Sequence, residues 1–352
     1  MRSSGALAQI AMIADDDVAL FDAEAHRAVA DLHAPRPSIF WIDLVGSSGI
    51  GWAGLVLAVM LPPFSAEMIA ASAAAVFAFY RGLCFMHEIT HVRSGALPRF
   101  EVIWNALIGL PLLMPSTVYL GVHQDHHKLS TYGTADDPEY LPFARSRSLT
   151  IRFALGALLI PAMLVLRFVV AVPFELLWPR FHHFLASRAS SLSMNPQYRR
   201  VVPAAMSRKM RWLHAAAFGT WAGALAFAWA GPLPWRAFLI WYVITAVASL
   251  INTLRTLVAH QYEGSGAPMN RREQLLDSID NPGAAVTELW APVGLRYHAL
   301  HHYFPGIPYH SLGEAYRRLV KVLPDYQVST GDGLVPGLAS LYRKGRASEN
   351  VR

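Results

Sequence analysis

His298-Ala-Leu-His301-His302, late in the chain, repeats the pattern of His123-Gln-Asp-His126-His127, and a further pair is set four apart in His87-Glu-Ile-Thr-His91. On a helix, positions three and four apart share a face, with Cβ atoms about 5–6 Å apart. Each stretch can therefore aim two or three imidazoles at one point. With 15 histidines in 352 residues, a single HxxHH arises by chance roughly 0.03 times per chain of this length, and two in roughly one such chain in a few thousand. The HxxxH pair alone is weak; the repeated HxxHH is the strong signal. Neutral imidazole is the commonest metal ligand and suits iron, zinc and copper. Eight imidazoles exceed the four ligands of a structural zinc and the three of a catalytic one. They fit two ions, each keeping an open position. Glu88 and Asp125, beside the motifs, are candidates to orient imidazoles by accepting the other ring N–H.

Composition places these motifs beside a bilayer. The chain is 54% apolar and only 15% charged, against roughly 25% charged residues in soluble domains. Its formal charge of +6 comes without a lysine- or arginine-rich block long enough to track a phosphate backbone, so no nucleic-acid partner is expected. The one cysteine, Cys84, excludes an intrachain disulfide, a four-thiolate iron–sulfur cluster and a cysteine-rich zinc site.

A span needs roughly 20 apolar residues. Candidates are Gly46–Leu61 and Ala66–Met86, turned by Pro62-Pro63, and Trp212–Ala230 and Ala237–Leu257, turned by Gly231-Pro-Leu-Pro234. If the histidines share one metal site they lie on one side of the membrane, and parity then constrains the rest. The apolar stretch Val102–Leu120 is too short to cross twice and must be interfacial or re-entrant. Ile151–Trp178 is expected to lie along the surface as an amphipathic helix, because Arg152 and Arg167 bracket too few apolar residues to span. Arg180, Arg188, Arg199, Arg200, Arg208, Lys209 and Arg211 share one connecting segment, which the positive-inside rule makes cytoplasmic. That segment is expected to meet lipid headgroups, His182 and His183 included, or an acidic electron donor. Val18–Leu32 reads as a short amphipathic helix or a frayed tail, and the chain after Leu334 as a polar tail, unstructured at its end.

The order HxxxH, HxxHH, HxxHH among two hairpins resembles the membrane fatty acid desaturase family. Arg296-Tyr-His298-Ala-Leu-His301-His302-Tyr-Phe-Pro305-Gly-Ile-Pro308-Tyr-His310 is similar to that family's third box. The resemblance implies an all-α integral membrane fold: four transmembrane helices in two hairpins, interfacial helices and a cytosolic histidine-rich cap. Residues 1–40 would be an N-terminal cytosolic segment, 41–330 the membrane desaturase domain and 331–352 a tail. The implied cofactors are two iron ions, with O2 as co-substrate. The implied ligands are His87, His91, His123, His126, His127, His298, His301, His302 and a ninth, His260, after the last span. Where some members hold an iron-bound water with Asn, this chain has Thr256; Asn252 is a candidate substitute, and His310 a candidate neighbour of the ligands. The implied reaction is oxidation of an unactivated C–H bond in a lipid acyl chain, with desaturation placed first and a hydroxylase or ketolase of a lipid, alkane or carotenoid as the alternative. Tyr119, Trp290, Tyr297 and Tyr303 are candidate lining or packing groups. Neither a fused cytochrome b5 motif nor ferredoxin cysteines occur, so electrons are expected from a separate ferredoxin or a cytochrome b5-like donor with its reductase. The expected setting is a bacterial inner membrane with the metals on the cytoplasmic side.

Overall fold

The computed structural model describes residues 15–93, 95–323, 326 and 330–350. They are helical, with β-pairing limited to isolated bridges among the described residues. Helix α1 (Asp15–Val29) leads through a short turn to α2 (Pro37–Met60), which starts on Pro37, the first-turn position where the missing N–H costs nothing. Pro62-Pro63 stops it. Ser65 then caps α3 (Ala66–His91), its hydroxyl accepting from Met68 N at 3.1 Å. The two helices touch closely because Gly54 faces Ala71 and Ala75: a Cβ there would meet the Ala71 carbonyl at 2.7 Å.

Four helices are long and apolar enough to cross a membrane by length and composition: Pro37–Met60, Ala66–His91, Arg147–Leu177 and Arg236–Leu257. Their outer faces carry exposed Ile42, Ile50, Leu57, Ile69, Leu155 and Val243, a surface suited to lipid and not to water. An integral membrane protein with an all-α fold follows, as the sequence implies.

The short helix α4 (Phe100–Trp104, continuing to Gly109) does not cross. The amide of Asn105 pairs with Ser116 on both sides, Ser116 N donating to Asn105 Oδ1 at 2.9 Å, and this folds the chain back on itself. Trp104 Nε1 donates to the carbonyl of Gly82 and Trp52 Nε1 to that of Leu107. Polar backbone at this depth is thus satisfied inside the protein.

The Arg147–Leu177 segment departs from the surface-lying amphipathic helix expected for Ile151–Trp178. It is a 31-residue helical segment, long and apolar enough to cross a membrane. It starts beside Leu254 and Leu257, reaches Tyr242 at its bend, where Tyr242 OH donates to Leu158 O at 2.9 Å, and returns to Arg211, which donates to Leu176 O. Pro161 and a π-turn at Leu166–Val170 bend the rod instead of ending it. Arg167, taken from the sequence as a boundary, is buried against Glu175 at 2.7 Å and Ser190, so its charge is neutralised within the fold. His182, expected among headgroups, is buried there too, 2.7 Å from Glu175. Arg200 is equally internal, donating to the Thr117 and Leu120 carbonyls.

After α5 (Pro179–Arg188), α6 (Ala204–Trp229) has the length of a span but carries Arg208, Lys209 and Arg211 near its start, and it is not among the four most apolar helices. It joins α7 (Arg236–Leu257) through Gly231 at φ 96°. Above the spans, α8 (Arg271–Asp277), α9 (His298–Tyr303) and α10 (Tyr309–Val322) form a cap. Ala25 and Val29 of α1 pack with Ala299, Leu300, Phe304 and Leu312, so the N-terminal segment is part of the cap from Asp15 on; the residues before Asp15 lie outside those described. The tail, expected to be unstructured at its end, forms α11 (Leu334–Glu349), held by Arg147–Glu349 at 2.8 Å and Lys344–Glu263 at 2.8 Å.

Candidate metal centre

His87 and His91 occupy the last two turns of α3. The second box forms a one-turn helix, Val122–His126, entered through Gly121 at φ 84°, a left-handed conformation that glycine adopts without strain. Gln124 spans the gap between boxes, its Nε2 donating to Thr90 O at 2.8 Å. The third box is α9, whose free first-turn amides point at Asp280. That fully buried carboxylate accepts from Leu300 N at 3.1 Å and from Tyr326 OH at 2.7 Å. Burial pushes the Asp280 carboxyl up to about 7, partly offset by these hydrogen bonds. His260 follows α7 and is fixed by pairing with Ser278.

These four pieces of chain bring nine imidazoles together. Nitrogens of His87, His91, His123 and His301 lie within 4.8 Å of one another, and those of His126, His260, His298 and His302 form a second set of the same size. His127 joins the first set: its Nε2 is 2.9 Å from that of His123 and 3.1 Å from that of His301. In the second set His298 Nε2 lies 2.9 Å from His260 Nε2 and 3.1 Å from His302 Nε2. The sets touch where His127 stacks on His302, ring centroids 4.3 Å apart.

The spacing decides what these rings can hold. With a metal–nitrogen bond of about 2.1 Å, adjacent donors sit about 3.0 Å apart and opposite donors about 4.2 Å. The observed 2.9–3.1 Å contacts match adjacent donors of that shell. A chain of hydrogen bonds is a poor alternative, because His127 Nε2 and His298 Nε2 each face two other ring nitrogens. Both nitrogens of His87 and the Nε2 atoms of His91 and His126 are buried without a hydrogen-bond partner. Burial first, and then neighbouring rings, pushes His123, His127, His298, His301 and His302 well below the ordinary imidazole range. The rings are therefore neutral at physiological pH and present lone pairs. An all-imidazole set of this kind accepts iron, zinc or copper.

Carboxylates behind the rings set which nitrogen points inward. His126 Nδ1 donates to Asp137 at 2.8 Å, and Asp137 also accepts from Gly133 N and Glu139 N, each at 2.8 Å. Burial lowers the His126 pKa and the Asp137 charge raises it, with a net upward shift. His123 Nδ1 lies 2.8 Å from Glu139, and Tyr119, stacked on that ring, shares the same carboxylate. Behind His260 stand Tyr132 OH at 2.8 Å and Asp277 at 3.6 Å. A carboxylate can only accept, so Nδ1 carries the proton and Nε2 is left for a metal.

Asp137, Glu139, Asp277 and Tyr132 were not singled out in the sequence. The signal for two of them was Asp136-Asp137-Pro-Glu139, an acidic run just after the second box. Of the neighbours that were singled out, Glu88 is placed near a ring, 3.5 Å from His87 Nδ1, while accepting from Tyr309 N at 2.9 Å. The other three face elsewhere. Asp125 pairs with Lys128 and Tyr198, Asn252 is exposed and accepts from Arg255, and His310 Nε2 accepts from Arg36 N. One residue's difference in helical phase turns Asp125 outward while His126 faces in. Tyr303 reaches Asp22 of α1, Tyr297 packs on Tyr316, and the Trp290 carbonyl accepts from Tyr80. An open cleft of about 280 Å³ between α1 and α8, lined by His26, His33, Arg271 and Tyr303, reaches His127 and His302 from the cap side.

The family model described as fatty acid desaturase matches residues 65–333. A ceramide hydroxylase of Caulobacter vibrioides is 38% identical over 329 residues, covering 92% of this chain and 93% of that protein. No solved structure matches. A family match running from the start of the second span to past the third box, together with a relative aligned over nearly its whole length, makes this chain an enzyme of the fatty acid desaturase family.

Proposed function

We propose that the chain hydroxylates a C–H bond of a ceramide-like lipid, using O2 and two iron ions. The observation that carries the reading is the convergence of nine imidazoles, five and four, on two adjacent points. The 38% identical relative favours hydroxylation over the desaturation placed first on family resemblance. In this reading His87, His91, His123, His127 and His301 hold one iron, and His126, His260, His298 and His302 the other. The bound irons supply the O2 activation that an unactivated C–H bond requires. One oxygen atom ends in the product and the other in water, with two electrons and two protons drawn from a reduced donor. The residues do the rest. Asp137, Glu139 and Asp277 hold the rings in one tautomer. Buried Phe85, Leu295 and Ala299 keep water from their surroundings. The lipid enters from the bilayer side, and a separate ferredoxin or cytochrome b5-like donor reaches the cap-side cleft bounded by His127 and His302. The basic segment before α6 favours a cytoplasmic location for this face, in a bacterial inner membrane.

Mass spectrometry of host lipids, with and without the gene and under 18O2, tests the assignment. Hydroxylation adds one labelled oxygen to a ceramide-type lipid. A product lighter by two hydrogens without label means desaturation. The His301→Ala protein should insert in the membrane and give no product.

A further inference from the structure

A second group of buried ionisable side chains lies outside the histidine cage, where the Arg147–Leu177 segment, α5 and α6 meet. Fully buried Glu175 is 2.7 Å from Arg167 and accepts from the Nδ1 atoms of His182 at 2.7 Å and of His214 at 2.8 Å. None of these residues belongs to either set of rings. His182 carries the cluster toward the surface: its other nitrogen, Nε2, is 2.8 Å from the hydroxyl of Ser207. A carboxylate only accepts, so the His182 proton sits on Nδ1 and Nε2 offers its lone pair to the Ser207 O–H. Ser207 is half-buried in the first turn of the 26-residue α6. A helical side chain leans toward the helix N-terminus. There the amides of Ala204, Ala205 and Met206 have no partner among the described residues, because Pro203 supplies no side-chain cap and its carbonyl takes the Ser207 N–H at 2.9 Å. Free amides at the start of a helix favour negative charge. A hydroxyl, a base, a carboxylate that orients the base and donors for an oxyanion thus stand together, and these roles, not sequence order, define a serine acyl-transfer site. Exposed Trp178, Val201 and Trp212 give the neighbourhood an apolar surface, with exposed Arg208 beside them. Such a mixture suits the headgroup level of a bilayer.

We propose that Ser207, His182 and Glu175 form a second catalytic site, which cleaves a carboxylic ester of a lipid lying at the headgroup level. Ser207 Oγ bonds to the ester carbonyl carbon as its proton passes to His182 Nε2. The carbon–oxygen bond to the alcohol then breaks, and the imidazolium returns the proton to the departing oxygen. Water, losing a proton to His182, releases the acid and restores the serine. Glu175 keeps the ring in the tautomer that the first step needs. The balance requires water alone, with neither O2 nor a reductant.

The test uses the purified full-length holoprotein and two probes: a hexadecyl fluorophosphonate, which phosphorylates activated serines, and para-nitrophenyl hexanoate. Peptide mass spectrometry should find the adduct on Ser207. General-base assistance predicts labelling slower by about 100-fold or more in H182Q. S207A should release nitrophenol no faster than heat-unfolded protein, with wild-type iron content. Turnover should be the same with O2 and reductant withheld, and a dependence on either overturns the proposal. An unlabelled folded wild type, an adduct on other residues alone, or labelling of H182Q as fast as wild type also overturns it. If H182Q fails to accumulate, S207A carries the test: lost turnover supports the site and turnover equal to wild type overturns it.

Discussion

Replacing Asp137 with Asn probes whether the carboxylates behind the rings set metal affinity. Asp137 is fully buried and accepts three N–H groups, from His126 Nδ1, Gly133 N and Glu139 N. Asparagine keeps the shape but has one acceptor oxygen. With that oxygen facing His126 and Glu139 N, its NH2 meets Gly133 N–H donor to donor; with the amide reversed, His126 is forced toward the wrong tautomer. An unsatisfied buried donor costs about 1–3 kcal/mol, which is about 5- to 150-fold in an equilibrium constant. Partners behind metal-bound histidines typically account for 10- to 100-fold in metal affinity, in the same range. The loss should fall on the set built from His126, His260, His298 and His302, leaving the other set loaded. Iron per chain, measured after dialysis against graded chelator, should show one ion released early and one at wild-type chelator concentrations. If D137N retains both ions as firmly as wild type, the role assigned to these carboxylates is wrong.

Other substitutions separate the cage from its scaffold. His298→Ala removes a donor from the second set, and elemental analysis should find about half the wild-type iron per chain with no hydroxylated lipid formed. Glu175→Gln breaks the buried pair with Arg167 and weakens both histidine contacts; such losses cost about 3–5 kcal/mol, so the protein should be depleted from membranes and melt early in a thermal-shift assay, while any folded fraction keeps its iron. Gly54→Leu forces side-chain atoms against the Ala71 carbonyl, where overpacking costs about 1–3 kcal/mol. A lowered melting temperature with unchanged iron content is expected, and no change would mean that the helix pair yields more easily than its contacts suggest.

The candidate metal site was legible where its chemistry is local. HxxHH is a statement about one helical turn, and α9 converts it directly into rings on one face. His260 stands alone in its stretch and was reached only through family resemblance. Asp137 and Asp277 became visible only when loops folded behind the boxes, because their role depends on where the chain returns and not on spacing. The Arg147–Leu177 rod was misread because Arg167 looked like a membrane boundary; its partner Glu175 lies on the same stretch, but nothing in the sequence says that the two are buried together. The C-terminal helix was missed for a similar reason. Leu334–Glu349 has only a modest apolar stripe, and its helix is held by ion pairs to distant Arg147 and Glu263.

The packing of α1 against the third box has a consequence for biosynthesis. Asp31 meets Arg318, 287 residues further along the chain, and Arg36 meets His310 across 274. Ribosomes deliver the amino-terminal helix and the first hairpin long before either partner exists. His87 and His91 therefore wait in the nascent chain without the rings that complete their set. Neither set of rings is complete until translation has passed Tyr303, so whatever metal the rings take is captured only after most of the chain exists.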